Sequence, residues 1–167
     1  MKIIYSTDDL SRENLKHFKY WDMVKESHPK LKVVAFVIVK DLDLNLFSDW
    51  YEEKKQWVEI GVHCWGHEKP QLGWRDDQEY YIKKARDVLA PFLPEHYLFR
   101  FPGFRFLPKS EKILKKLGFA GIAHQEFIKY FDTGEFFPVI NTHCTFDQFQ
   151  NPIGQIWQNI IKKIENE

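Results

Sequence analysis

Residues 32–40 read Lys-Val-Val-Ala-Phe-Val-Ile-Val-Lys, and this stretch decides the fold class. Its seven central positions are apolar without a break and mostly β-branched. A strand with one wet face would alternate apolar and polar side chains, so a continuous run implies burial on both faces. Such strands belong to parallel sheets covered by helices on one or both sides.

The pattern on either side agrees. Before it, 2–6 reads as a strand and 12–26 as a helix. After it, 47–55 is helical, with Ser48 or Asp49 near its start, and 57–62 is a third strand. A Gly- and Pro-containing loop follows over 67–74, then a helix over 76–89 ended by Pro91 and Pro94. A strand is expected at 97–101. Next comes a helix over 110–117, started at Ser110 and stopped by Gly118. Short strands are expected at 120–123 and 137–142. A closing helix is expected over 154–167, with Ile153, Trp157, Ile160, Ile161 and Ile164 on one face. Strands alternating with helices predict an α/β fold with a mainly parallel sheet, open or closed into a barrel. No repeat, low-complexity segment or linker divides residues 1–167, so one domain is expected.

Composition narrows the function classes. The 167 residues are 44% hydrophobic and 29% charged, which excludes a disordered or coiled-coil chain. Lys+Arg and Asp+Glu both number 24, and this zero net charge argues against a nucleic-acid partner. The apolar run 33–39 is far shorter than the roughly 20 residues needed to span a bilayer. The N-terminus meets two acids by Asp8 and lacks the apolar stretch of a signal peptide. With only two cysteines, Cys64 and Cys144, a reducing, cytoplasmic setting is expected. Aromatics make up 17% of the chain, which fits an aromatic-rich core or rings stacking on a sugar.

The polar residues fall at the strand ends. Asp8 and Asp9 directly follow the first expected strand; His63 follows the third, with His67 four residues on. Arg100 lies at the end of the fourth, and His143 at the end of the last. In a parallel sheet or barrel, strand C-termini share one rim, where ligands bind. His63 and His67 at i, i+4 can hold one divalent metal. Adjacent carboxylates at a strand end point in different directions, so one can bind metal while the other faces substrate as a base. Each piece also has a plain explanation: a solvated acid pair, a surface arginine, a packed histidine. Cys64 and Cys144 lack the spacing of a structural zinc site and are expected to face the packing.

The segments STDD (6–9), HCWGH (63–67), FRFPGF (99–104) and NTHC (141–144) together resemble the motifs of the polysaccharide deacetylases, carbohydrate esterase family four. EIGVHCWGHE (59–68) is the most specific piece, and the resemblance runs from Tyr5 to about Cys144. It implies a distorted, often incomplete (β/α) barrel. It further implies that Asp9, His63 and His67 bind a divalent metal, usually zinc, and that Asp8 is the general base deprotonating a water on that metal. Arg100 would orient Asp8, His143 would protonate the leaving amine, and a backbone amide near Gly103 or Phe104 would help hold the oxyanion. The implied activity is removal of N-acetyl groups, ahead of O-acetyl groups, from a sugar or glycan. Trp65, Trp74, Phe101 and Phe104 are candidate ring contacts for that sugar, and core packing explains each about as well. Three departures stand out: Leu10 where the family has Gly, Cys64 where it has Ser or Thr, and no Asp/Trp motif to support His143. The nearest acids are Asp132 and Asp147. Three other readings stay open: a hydrolase of a non-sugar amide on the same fold, a non-catalytic carbohydrate-binding protein, and a structural protein whose histidines merely pack.

Overall fold

The computed structural model describes residues 4–67, 77–104 and 107–143, with residues 142 and 143 described by backbone alone. Among the described residues, seven strands close into a barrel in sequence order. They are β1 (Ile4–Leu10), β2 (Val33–Ile38), β3 (Val58–Cys64), β4 (Leu98–Phe99), β5 (Gly121–Ala123), β6 (Phe127–Tyr130) and β7 (Phe136–His143). All neighbours are parallel except β6, which runs antiparallel to both β5 and β7. The architecture is therefore α/β, a distorted barrel of mainly parallel strands. Because β6 reverses the chain once, β7 returns parallel to β1 and ends at the same mouth as β1 to β5.

The sequence 32–40 forms β2, and it is buried on both faces. Val33, Ala35 and Val37 pack outward against the helices in a core that also holds Phe18, Trp21, Phe47 and Leu114. Val34 and Phe36 point into the barrel beside Leu98, Ala123, Ile128 and Val139. The inner filling requires a glycine: a Cβ on Gly61 would stand 2.6 Å from two ring carbons of Phe36. Many of the aromatic rings pack on one another, as in Phe18 edge-on to Trp50 at 4.9 Å and Phe99 edge-on to Phe119 at 5.4 Å.

Four helices wrap the described barrel: α1 (Lys19–Ser27), α2 (Leu44–Lys54), α3 (Gln78–Leu89) and α4 (Pro108–Lys116). The helix expected over 12–26 divides into a 3₁₀ turn, Leu15–Phe18, and α1. Helix α2 starts earlier than Ser48 or Asp49, because Asp43 caps it: its carboxylate accepts from the Asn45 and Leu46 amides, each at 3.1 Å. Helix α4 also starts earlier, at Pro108, and Ser110 serves from its first turn by accepting the Leu107 amide at 2.9 Å. Gly118 ends it at φ +81°, the left-handed conformation expected of that stop. Strand β4 is shorter than the five residues expected, and β1 and β3 run further, through Leu10 and Cys64. Strand β6 was not expected at all. Its four residues, Phe-Ile-Lys-Tyr, carry too short an alternation to register as a strand. The closing helix over 154–167, Trp74 and Cys144 lie outside the described residues.

Candidate metal centre

Two bulges at one mouth of the barrel aim the acids and the first histidine. Between Thr7↔Ala35 and Leu10↔Val37, β1 advances three residues while β2 advances two, so Asp8 and Asp9 together oppose Phe36. Between Val37↔Val62 and Ile38↔Cys64, the extra residue is His63 of β3. A bulge re-aims side chains that a regular strand would send to opposite faces. Asp9 takes φ +59°, a left-handed backbone that Asp tolerates better than most residues. The Asn14 side-chain amide donates to its carbonyl at 2.9 Å.

Asp9, His63 and His67 converge as a result. Each offers a ligand atom, and these atoms lie within 4.8 Å of one another. Asp9 Oδ1 stands 3.0 Å from His63 Nε2 and 2.9 Å from His67 Nε2. The Nδ1 of His63 lies 2.8 Å from the Arg100 carbonyl. A carbonyl only accepts, so Nδ1 carries the hydrogen, which leaves Nε2 as the nitrogen that faces Asp9. A proton or a cation between the two would make the contact attractive. Tetrahedral zinc with bonds of about 2.0–2.1 Å would set its ligand atoms about 3.3 Å apart. One carboxylate and two imidazoles are a zinc-type donor set, and the spacing here fits it. Cys64 does not join: it is buried, and burial pushes its thiol well up, with the charge of Asp9 adding to the effect. Its sulfur is not among the ligand atoms that converge here.

A second cluster lies beneath, inside the barrel. Arg100 is fully buried, its guanidinium carbon 4.1 Å from the centre of the Phe36 ring. Its Nη1 donates to Asn141 Oδ1 at 2.6 Å, and its Nη2 to Ser6 Oγ at 2.9 Å and the His124 carbonyl at 3.2 Å. Nη1 stands 3.8 Å from Asp8 Oδ2, an ion pair beyond hydrogen-bond length. The Asn141 amide nitrogen is 3.3 and 3.4 Å from the two Asp8 oxygens. Burial pushes Arg100 down to about 10, while Asp8 and Asp9 pull the other way, so it stays cationic at neutral pH.

Of the expected site residues, Asp8, Asp9, His63, His67 and Arg100 meet at this mouth. The backbone of His143 pairs with Asp8 in the β1–β7 register. The rings divide differently. Phe101 is a correction: it is buried in the core, edge-on to Phe99 at 4.7 Å, and offers no face to a ligand. Phe104 is half-buried, its ring centre 5.7 Å from the Arg100 guanidinium. Its amide donates to the Phe101 carbonyl at 2.9 Å, which leaves Gly103 as the oxyanion candidate of the two. Trp65 carries the Lys84 ammonium over its ring at 3.7 Å. Asp132 cannot support His143, because it lines a cavity of about 250 Å³ with Ile4, the first residue of β1, at the opposite mouth. Asp147 lies outside the described residues.

Sequence reasoning missed Ser6 and Asn141. The available signal was strand alternation: in sequence Ser6 lies two residues from Asp8, and Asn141 two from His143. Beside Asp9 and His67 a cavity of about 320 Å³ opens between the β1 and β2 loops, lined also by Arg12, Asn14, Lys40 and Asp41.

No protein-family model matches the chain, and no curated protein matches it. Solved structures do. A peptidoglycan N-acetylglucosamine deacetylase aligns with a TM-score of 0.65 at 17% identity, over 99% of this chain and 82% of its own. A family 4 acetyl xylan esterase from Clostridium thermocellum, in complex with a cobalt ion, aligns at 0.62 and 13%, over 98% and 83%. A CE4 family pseudoenzyme from Bacillus anthracis aligns at 0.57 and 12%, over 97% of this chain. The chain spans 60% of that pseudoenzyme's length. By these alignments the chain has the fold of the carbohydrate esterase family four polysaccharide deacetylases.

Proposed function

We propose that this chain is a single-domain, divalent-metal-dependent hydrolase that removes acetyl groups, N-acetyl ahead of O-acetyl, from a sugar or glycan. The observation that carries this reading is the Asp9–His63–His67 cluster with a second carboxylate, Asp8, in the adjacent bulge. These three residues would hold the metal, with zinc the best match to their donor types. When bound, such a metal polarises a carbonyl and lowers the pKa of water.

The remaining steps fall to the chain's own groups. Asp8, beside the Arg100 cation, accepts the proton of the attacking water at a carboxylate oxygen. Arg100 keeps that negative charge compensated in a buried setting. An amide nitrogen departs only once protonated, and His143, opposite Asp8 in the strand register, would deliver that proton from its imidazole. Gly103 would supply an amide to the oxyanion. Phe104, Trp65 and Trp74 remain candidate sugar contacts. A cytoplasmic sugar or glycan substrate is proposed; among the described residues no helix is long and apolar enough to cross a membrane.

A second reading, a carbohydrate-binding protein without turnover, is favoured by one observation: Asp132, a nearby acid in sequence, sits at the wrong mouth to support His143. Zinc-loaded protein incubated with a panel of N- and O-acetylated sugars separates the two. Acetate release is expected on at least one N-acetylated sugar, abolished by a chelator and restored by added zinc. Binding of acetylated glycans without release would decide for the second reading. Release unaffected by complete metal removal would contradict the mechanism.

A further inference from the structure

We propose that Asn141 is a positioning residue that couples Arg100 to Asp8 and fixes the orientation of the Asp8 carboxylate. The proposal rests on the hydrolase reading for its consequence in turnover, but on geometry for its substance. The Arg100–Asp8 ion pair is too long, at 3.8 Å, for a direct hydrogen bond between those atoms. Asn141 spans the gap. Its Oδ1 accepts from two donors, Arg100 Nη1 at 2.6 Å and Ser6 Oγ at 2.9 Å.

Those two donors fix which end of the amide is oxygen, since a flipped Asn141 would set its NH₂ against a guanidinium that has only hydrogens to offer. The NH₂ is thereby committed to Asp8, where it lies within 3.4 Å of both oxygens. An amide is suited to this place because one end accepts from a cation while the other donates to an anion. Arg100 is in turn held against movement by the Phe36 face, Ser6 and the His124 carbonyl. Asn141 thus transmits a rigid, buried anchor to the base.

Two variants separate positioning from mere support of Arg100. Asn141→Asp keeps an acceptor for Arg100 but loses the donor to Asp8; Asn141→Leu loses both. If Asn141 positions Asp8, N141D keeps the wild-type zinc content, yet its kcat for an N-acetylglucosamine oligomer, or whichever panel sugar wild type turns over, falls about 10- to 100-fold with KM within about twofold. Crystal structures of zinc-loaded N141D and N141L then show the Asp8 carboxylate rotated from its wild-type orientation. An N141D variant with wild-type kcat, or an Asp8 carboxylate unmoved in both structures, would overturn the proposal. Should wild type release no acetate, the hydrolase reading fails separately, and the carboxylate orientation alone decides the role of Asn141.

Discussion

Asp8→Asn should retain zinc at wild-type stoichiometry and lose acetate release by about 10²- to 10⁴-fold, the usual range for removing a positioned general base. The substitution preserves shape and volume while removing basicity. Asp8 contributes no atom to the Asp9–His63–His67 cluster, so the ligand set is intact in the variant. An amide at position 8 can still accept from the Asn141 NH₂, and Asp9 remains as a negative partner for Arg100, so the fold should hold. Turnover and bound zinc are measured on the same preparation. Loss of both together would mean that Asp8 holds the metal; retention of both would mean that it is not the base.

Arg100→Met should destabilise the protein by about 3–5 kcal/mol, as breaking a buried ion pair from one side does. At about 2–4 °C per kcal/mol for a domain of this size, the melting temperature should fall by about 6–20 °C. Methionine fills much of the same volume between Phe36 and Phe104, so the effect isolates the lost charge and donors rather than a cavity. Asp8 would be left buried beside no arginine, and the Asn141, Ser6 and His124 oxygens would each lose a donor. Thermal unfolding with zinc present measures the change. A shift of less than about 1 kcal/mol would contradict the view that Arg100 anchors this end of the barrel.

The sequence was most informative where a physical demand repeats along the chain. Residues 32–40 could only be a strand buried on both faces, and Val33, Ala35 and Val37 do pack outward while Val34 and Phe36 fill the barrel. The clustering of Asp8, Asp9, His63, His67 and Arg100 at one mouth followed from parallel strands ending together. What stayed hidden depended on single residues. A bulge is one extra residue, and nothing local in STDDL or GVHCW marks it, so the strands were expected to stop before Asp8 and His63 rather than run through them. Strand β6 is too short to show periodicity. Asn141 and Ser6 read as ordinary polar strand residues until the barrel closes and brings β1, β4 and β7 around Arg100. Phe101 read as a groove aromatic because a buried ring and a binding ring are identical in sequence.

The central claim is one cation held by one carboxylate and two imidazoles. A crystal grown with zinc and measured at the zinc absorption edge tests it most directly. A single anomalous peak is predicted about 2.0–2.2 Å from an Asp9 oxygen and from Nε2 of both His63 and His67. A peak elsewhere, or none at full zinc loading, would contradict the account.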